Sequence, residues 1–213
     1  MPASYASKFK LHINLRTGEK ARTELYLFSR KAREYSFFLK DFWGKDLMRV
    51  VIWNDSILVF YPQEMQFIKE PILPFSQSDY WIWSITPLEL VQIIDGTLLK
   101  NMDEIHFLRE NGELYQYKAK QSDMIYNFSL SPKDSGLRKV VISDENDAAL
   151  AEVKWQGVRK YKNYVRPRRI EIRMKNTDDK IKLGVTEERF DLGLSERYFQ
   201  LAIPNTARQI RIN

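Results

Sequence analysis

Apolar and polar residues alternate along much of this chain. In residues 8–16 (KFKLHINLR) phenylalanine, leucine and isoleucine occupy the odd positions, and charged or polar residues occupy the even ones. A period of two places one face of a strand in a core and the other in water, as in an antiparallel sheet. Short polar turns separate similar segments, so successive strands should form a meander. Strands are predicted at residues 8–16, 21–30, 34–41, 46–53, 56–61, 64–69, 104–110, 113–119, 123–130, 137–143, 148–156, 168–174, 180–185 and 199–203.

One short helix interrupts this pattern. Residues 86–89 (TPLE) have the spacing of a capping box with proline at the first helical position, and Gly96 can end the helix. The apolar residues between them recur at helical spacing, so one face should lie against the sheet. The predicted fold class is therefore mainly β (α+β): a sheet with a short helical lid.

Composition excludes more chemistry than it suggests. The 213 residues include no cysteine and two histidines, which excludes disulfides, thiolate metal sites and cysteine nucleophiles. No phosphate-binding loop, dinucleotide fingerprint, serine-nucleophile elbow or zinc-protease motif occurs, and the acidic clusters fall in predicted turns. We therefore expect no catalytic residue, no cofactor and no metal site. No secretory signal or apolar run of membrane-spanning length is present; we expect a disordered remnant at residues 1–7 and a single domain over residues 8–213.

The net charge of +6 is unevenly distributed. Residues 154–175 contain nine basic residues and one acidic residue, interleaved with aromatic ones. Such a stretch predicts either a surface for the phosphates of nucleic acid or lipid headgroups, or an ordinary solvated face of a basic protein. The candidate residues of this basic surface are Lys154, Arg159, Lys160, Lys162, Arg166, Arg168 and Arg169.

Three predicted strands are apolar almost without interruption, at residues 35–39, 50–53 and 57–61. Continuous apolar runs are typical of strands buried on both faces, or of strands with one face in the core and the other lining an apolar cavity. The sequence leaves both possibilities open.

The turn between predicted strands 34–41 and 46–53 is unusually apolar. It contains Phe42 and Trp43 beside Gly44, with Lys40 and Lys45 on either side. Either both rings fold back onto the core, or they form an exposed tip that could enter a membrane interface, where tryptophan and lysine are favoured.

The order of these elements resembles the LolA/LolB family of periplasmic lipoprotein carriers and receptors, and LolB in particular. The resemblance rests on the turn at residues 42–44, the polar turn at 54–55, the strand ending in Tyr61-Pro62, the helical segment 86–96 and the segment PRRIEI at 167–172. It covers roughly residues 8–206.

The resemblance implies a curved, incomplete antiparallel barrel of about eleven strands with helices over its open side. It implies an apolar cavity for lipoprotein acyl chains or lipid, and a membrane-inserting loop at Phe42 and Trp43. It also implies a periplasmic protein anchored to the outer membrane, with a periplasmic carrier as a partner. The candidate residues that line the cavity are Phe37, Leu39, Val51, Trp53, Leu58, Phe60, Trp81, Trp83, Leu90 and Ile94.

The leading functional hypothesis is non-catalytic binding of acyl chains for transport to, or insertion into, the outer membrane. A second hypothesis is a basic β-protein that binds nucleic acid or another polyanion through residues 154–175, although nucleic acid is the less favoured partner. A third is an envelope scaffold protein that has this fold with a filled core.

Overall fold

The computed structural model describes residues 4–31, 34–102, 104–121, 123–161 and 164–212. Within these ranges the helices are α1 (Ile72–Ser76) and α2 (Pro87–Asp95), and short 3-10 turns lie at Leu98–Asn101 and Glu196–Tyr198. The strands are β1 (Ser4–Asn14), β2 (Lys20–Arg30), β3 (Glu34–Lys40), β4 (Asp46–Trp53), β5 (Ser56–Tyr61), β6 (Gln66–Pro71), β7 (Glu104–Asn111), β8 (Leu114–Gln121), β9 (Met124–Ser131), β10 (Gly136–Ser143), β11 (Ala149–Gln156), β12 (Arg159–Tyr161), β13 (Tyr164–Arg166), β14 (Arg169–Met174), β15 (Lys180–Phe190) and β16 (Arg208–Gln209).

Fourteen of the strands in these ranges form one sheet, in the order β16-β6-β5-β4-β3-β2-β1-β15-β14-β11-β10-β9-β8-β7, and β12 and β13 form a separate hairpin. The sheet is curved and does not close. The predicted mainly β fold, an incomplete antiparallel barrel with a short helical lid, is therefore confirmed, with a main sheet larger than the eleven or so strands that the resemblance implies.

The strands form two meanders rather than one. They join where β1 pairs with β15, near the middle of the sheet. The consecutive strands β6 and β7 lie at opposite sides of the sheet, so the segment that links them crosses the sheet's inner face. This crossing segment contains α2 and forms the lid.

Local sequence signals fix the ends of α2. The Thr86 hydroxyl accepts a hydrogen bond from the Glu89 amide (3.2 Å), and the Glu89 carboxylate accepts one from the Thr86 amide (2.7 Å). Gly96 ends the helix with a φ of 75°, in the left-handed region that favours glycine. Leu90, Val91 and Ile94 are buried in the core with the side chains of the sheet.

Rows of apolar side chains cross the inner face from strand to strand. Burying such a side chain contributes about 1.5–3 kcal/mol, so these rows supply much of the free energy that holds the sheet and lid together. One row in the first meander is Leu27, Phe37, Val50, Val59 and Ile68. The row in the second meander is Phe128, Val140, Val153, Ile172 and Ile181.

The C-terminal segment crosses the outer face of the first meander; we call residues 192–212 the C-terminal strap. Tyr198 stacks on Phe28 of β2, with ring centroids 4.6 Å apart. The strap then reaches β6, where the Arg208 amide donates to the Met65 carbonyl (2.9 Å) and β16 pairs in parallel with β6. Residues 199–207 therefore pass over β3, β4 and β5.

Two sequence-based expectations are wrong at the termini. Residues 199–203 form no strand. The strap runs across the strands there rather than parallel to them, so its backbone cannot form the regular hydrogen bonds of the sheet. Residues 4–7 are not a disordered remnant, since β1 begins at Ser4 and Tyr5 is buried. A long-range contact orders this start: the Ser4 hydroxyl donates to the carbonyl of Leu192.

Candidate functional site

An apolar cavity of about 250 Å³ lies between α2 and the inner face of the first meander. Its walls come from β1 to β5, β15, α1, α2 and the segment that precedes α2. Almost every lining group is aliphatic or aromatic. The lining residues are Leu11, Ile13, Leu25, Leu27, Phe37, Leu39, Met48, Val50, Ile57, Val59, Tyr61, Phe75, Tyr80, Trp81, Ile82, Trp83, Pro87, Leu90, Val91, Ile94, Ile181 and Leu183.

The segment before α2 forms the rim of the cavity. Trp81 packs edge-to-face on Trp83 (centroids 5.1 Å apart), and its indole N–H donates to the Ile85 carbonyl (2.6 Å). Tyr80 and Ile82 line the cavity and are nevertheless exposed, Ile82 by 54%. The cavity therefore opens to solvent at this rim.

The opening faces the end of the sheet at which the β3–β4 loop lies. Leu39 precedes that loop and Met48 follows it. The two residues pair across β3 and β4, and both side chains line the cavity. Tyr61 ends β5 at the same level, and burial together with the nearby Tyr80 hydroxyl raises its pKa above the ordinary value. This shift favours the neutral form of the Tyr61 hydroxyl beside the opening.

The structure places six of the ten predicted cavity residues in the lining. These are Phe37, Leu39, Trp81, Trp83, Leu90 and Ile94. The signals that located them were the alternation along β3, the aromatic cluster before the helix and the helical spacing of α2.

The other four predicted residues lie on the opposite face of β4 and β5. Val51 pairs with Leu58, and Phe60 and Trp53 lie on the same face. The prediction therefore chose the same face for both strands. That face is the outer one, because Phe37 of β3 pairs with Val50 and not with Val51. The physical reason is that these strands are apolar on both faces. Val51, Leu58 and Phe60 are buried on the outer face, and we attribute their cover to the C-terminal strap, which passes from β2 to β6 over this face. The sequence predicted residues 199–203 of the strap as a strand.

Sequence reasoning also missed several lining residues. Leu25, Leu27, Val59, Ile181 and Leu183 all contribute to the wall. The alternation in residues 8–16 did place Leu11 and Ile13 on one apolar face. The contribution of β15 depends on its pairing with β1, which no local signal reveals.

The β3–β4 loop holds Phe42 and Trp43 outside the protein. They are 87% and 86% exposed, and their rings pack edge-to-face on each other, 5.4 Å apart, rather than on the core. The Asp41 carboxylate accepts hydrogen bonds from the amides of Trp43 (2.9 Å) and Lys45 (2.8 Å), which fixes the turn. Gly44, with a φ of 83°, supplies the left-handed residue that this turn requires.

A buried polar cluster holds the C-terminal end of α2 to the sheet. The Arg166 guanidinium donates to the carbonyls of Ile94 (3.0 Å) and Asp95, and to the Tyr5 hydroxyl (2.7 Å). It also pairs with the buried Glu188 (3.2 Å). The prediction that Arg166 lies on a basic surface is therefore wrong, because its guanidinium is buried, where it donates to carbonyls at the C-terminal end of α2 and pairs with a buried carboxylate.

The other candidates for the basic surface do not form one continuous patch. Lys154 and Arg169 are exposed on the outer face of the sheet, and Lys160 is exposed on the β12–β13 hairpin. Arg159 is half-buried, Arg168 is exposed, and Lys162 lies outside the described residues.

Acidic side chains also lie within this surface. Glu152 is within 2.9 Å of the Lys154 ammonium, and this contact, with Lys139 and Lys175 nearby, lowers the pKa of Glu152 to about 2. Glu171 of β14 lies directly opposite Lys154 of β11 in the register of the sheet. The positive charge of the outer face is therefore partly neutralised.

Within the part of the chain that the structure describes, no three histidine, aspartate or glutamate residues are placed to bind one metal ion. None of the helices in that part combines the length and apolar character needed to cross a membrane.

No protein-family model matches this chain, and no curated protein matches its sequence. Solved structures match its fold. A LolA superfamily protein from Nitrosomonas europaea superimposes with a TM-score of 0.69 at 11% identity, over 94% of this chain and 91% of that one. A domain described as that of an outer membrane lipoprotein-sorting protein, from Vibrio parahaemolyticus, gives 0.65 at 12% identity, over 92% and 89%. A DUF1329 family protein from Desulfovibrio piger gives 0.68 at 12% identity, over 94% and 90%.

At these identities the comparisons establish the fold. The chain has a LolA/LolB-like fold, which confirms the resemblance noted in its sequence at the level of architecture.

Proposed function

We propose that this protein is a non-catalytic carrier or receptor that binds acyl chains of a lipid or lipoprotein in the bacterial periplasm. The observation that carries the proposal is the open apolar cavity beneath α2. Support also comes from the fold shared with a LolA superfamily protein and with a lipoprotein-sorting domain. Apolar contact is non-directional, so a site of this kind needs shape and apolar surface rather than catalytic groups.

The size of the cavity suits partial burial of a chain. Each buried methylene contributes about 0.8 kcal/mol, so a few methylenes already give measurable affinity. A volume of about 250 Å³ lies just below the ~300–1,000 Å³ of typical ligand pockets. We infer that the cavity takes one chain while the polar part of the cargo stays outside the rim.

The position of the β3–β4 loop supports a LolB-like role at the outer membrane. The exposed Phe42 and Trp43 project at the same end of the sheet as the cavity opening, and Lys40 and Lys45 flank them. Aromatic rings enter a membrane interface while lysines remain among the headgroups. Docking through this loop would bring the opening close to the bilayer, so a chain could move between them with little exposure to water.

The structure gives less support to the two alternatives. An open apolar cavity is not expected of a scaffold with a filled core, since protein interiors are close-packed. Polyanion binding would depend on the basic residues of the outer face. Arg166 is buried and does not contribute to that face, and Glu152 and Glu171 lie next to Lys154 and reduce its positive charge.

Native mass spectrometry with lipid extraction tests the proposal directly. Protein isolated from a bacterial periplasm should carry acyl-chain ligands, and the delipidated protein should bind a synthetic triacylated lipopeptide. Ile82→Glu places a charge on the rim of the cavity and should weaken lipopeptide binding by about tenfold or more, because an apolar contact is replaced by a group that must stay hydrated.

The matched control is Leu73→Glu, which changes another exposed apolar residue (63%) that does not line the cavity. It should bind lipopeptide as the unchanged protein does. If the purified protein carries no lipid and does not bind the lipopeptide, the proposed function is wrong.

A further inference from the structure

The outer face of β1, β2 and β15 carries a regular array of basic side chains. On these strands Leu11, Leu25 and Leu183 line the apolar cavity, so the residues between them point outward. Three rows of outward residues cross the three strands in register. We call these positions the cationic grid: Lys20, Asn14 and Lys180 in the first row, Arg22, His12 and Lys182 in the second, and Glu24, Lys10 and Gly184 in the third.

Neighbouring carboxylates do not neutralise the lysines and the arginine of the grid. The acidic member, Glu24, pairs with Lys8 (2.8 Å), which lies outside the grid. Asp178, two residues before Lys180, pairs with Arg173 (2.6 Å). In the part of the chain that the structure describes, no ion pair involves Lys10, Lys20, Arg22, Lys180 or Lys182.

Strand β14, next to β15, adds two arginines on the same face. Arg169 is level with the third row of the grid and Arg173 with the first. The acidic residue between them, Glu171, lies opposite both Lys182 and Lys154. The positive charge is therefore greatest over β1, β2 and β15, outside the stretch 154–175 that the sequence marked as basic.

The stability of the sheet does not explain this clustering. Adjacent strands lie about 4.8 Å apart, and alternate residues of one strand lie about 6.7 Å apart. Like charges this close on a sheet are destabilising. The fully exposed members of the grid are Lys10, Lys20, Arg22 and Lys182. An anionic partner could therefore reach the grid and would relieve the repulsion.

The C-terminal strap leaves the grid uncovered. The strap crosses β2 at Phe28, on which Tyr198 stacks. Phe28 pairs with Ala6, near the start of β1. The grid lies at the other end of these two strands, beside the β1–β2 turn.

The grid adjoins the β3–β4 loop. Asn14 precedes the β1–β2 turn and pairs with Lys180, which follows the β14–β15 turn. Lys40, at the base of the β3–β4 loop, pairs with Glu24 of the third row. The exposed aromatic rings of that loop therefore lie at the same end of the sheet as the grid.

These features favour a bilayer over a nucleic acid as the anionic partner. The grid has no aromatic side chain on which a base could stack and no helix that could enter a groove. Headgroup phosphates form a broad anionic layer, which would lie beside the grid whenever the β3–β4 loop enters the interface. Charges interact over about 8 Å at physiological ionic strength, so the rows nearest the turns would be within reach of that layer.

We propose that the cationic grid binds the phosphates of anionic phospholipids, so that the protein docks on an acidic bilayer through the grid and the β3–β4 loop together. This inference deepens the proposed function and rests on its placement of that loop in a bilayer. It adds the class of lipid and a second contact surface. Two contacts on neighbouring strands fix the orientation of the protein, with the cavity opening towards the bilayer.

Vesicle composition tests the proposal without any variant. Co-sedimentation compares phosphatidylcholine vesicles with vesicles in which about one third of the lipid is phosphatidylglycerol. One lysine or arginine beside an anionic surface contributes a factor of about five in affinity. The unchanged protein should therefore bind the phosphatidylglycerol vesicles at least about twentyfold more tightly. Raising the salt from about 0.1 M to about 0.5 M should remove most of this difference.

A double variant tests the grid itself. Lys20→Gln with Lys182→Gln removes two positive charges and should weaken binding to phosphatidylglycerol vesicles about twentyfold, with binding to phosphatidylcholine vesicles unchanged. The control, Lys31→Gln with Lys69→Gln, removes two exposed lysines towards the opposite end of the sheet. It should bind both kinds of vesicle as the unchanged protein does. Trp43→Glu should weaken binding to both kinds.

Equal binding of the unchanged protein to the two kinds of vesicle would overturn the proposal, and so would an equal loss in the control variant. A grid variant that loses affinity for a single-stranded oligonucleotide but not for vesicles would make the grid a nucleic-acid site, which also overturns it.

The lipopeptide assay fails or succeeds separately. If the lipopeptide does not bind while the vesicle results are as expected, acyl-chain binding is wrong and the grid remains a membrane contact. If the lipopeptide binds and phosphatidylglycerol is not preferred, only the proposal for the grid is wrong.

Discussion

Asp95, the last residue of α2, is a buried carboxylate. It accepts hydrogen bonds from the Ser29 hydroxyl (3.0 Å) and the Thr97 amide (2.9 Å). Burial raises the pKa of Asp95 to about 6, although these bonds and the nearby Arg166 act in the opposite direction. The folded chain therefore binds a proton at Asp95 more tightly than the unfolded chain does, in which the pKa is near 3.8.

The sign of the resulting pH dependence follows from proton linkage. Where the folded state binds more protons than the unfolded state, the free energy of unfolding falls as pH rises. We expect Asp95 to lower it by about 2–3 kcal/mol between about pH 4 and pH 6, with no further contribution above that range. Asp95→Asn retains an acceptor for Thr97 and cannot titrate, so it should lack this slope.

Urea unfolding of both proteins across this pH range measures the effect. The difference between them separates Asp95 from groups such as Glu152, whose lowered pKa gives a slope of opposite sign at lower pH. Identical pH dependence in the two proteins would show that Asp95 does not titrate in this range.

Strands β4 and β5 illustrate what one element can and cannot specify. Both are apolar on each face, so either face could have lined the cavity. The loop between β3 and β4 is different, because Asp41 and Gly44 define a tight turn in which Phe42 and Trp43 are exposed.

Trp43→Glu tests the loop as a membrane contact. A large apolar side chain contributes about 1.5–3 kcal/mol when it leaves water, so the variant should bind phospholipid vesicles roughly tenfold more weakly. Its urea-unfolding midpoint should not change, since the ring makes no core contact. Vesicle co-sedimentation measures the binding.

Leu73→Glu is again the control, because Leu73 belongs to α1, which lies at the end of the sheet opposite to the β3–β4 loop. At that end the Ile72 amide donates a hydrogen bond to the carbonyl of Asp55, in the β4–β5 turn. Vesicle binding by Trp43→Glu that equals that of the unchanged protein would exclude Trp43 from membrane docking.

The whole molecule is organised by two segments that cross the sheet on opposite faces. The segment containing α2 covers the inner face, and the C-terminal strap covers the outer face of the first meander. Val51, Leu58 and Phe60 are buried on that outer face. Without a cover they would form an exposed apolar patch, which soluble proteins rarely tolerate.

Truncation after Tyr198 should therefore destabilise the fold. We expect several kcal/mol of lost stability, since three large apolar side chains become exposed at about 1.5–3 kcal/mol each. The truncated chain should also bind the dye ANS, which the full chain should bind weakly. The control changes the exposed Asn205 and Thr206 to Ala within the full strap. Unchanged stability after truncation would show that the strap does not hold the outer face.

Much of the fold could be predicted from local signals. Alternation with a period of two located most strands, and the capping box and glycine located α2. The register between strands could not be predicted in the same way, since Phe37 pairs with Val50 rather than Val51 and only the packed sheet shows it. Val50 is followed by Val51 and Ile52, and Val59 of β5 lies between Leu58 and Phe60, so alternation does not show which face of these strands points inward.

The sequence by itself determined most of the strands, where α2 begins and ends, and that residues 41–45 form a tight apolar turn, because these properties depend on residues only a few positions apart. Only the tertiary structure decided the lining of the cavity, the burial of Arg166 against α2 and Glu188, and the path of the strap. Each of these depends on partners far apart in the chain, such as β1 with β15, and the burial or exposure of a side chain is set by what packs over it.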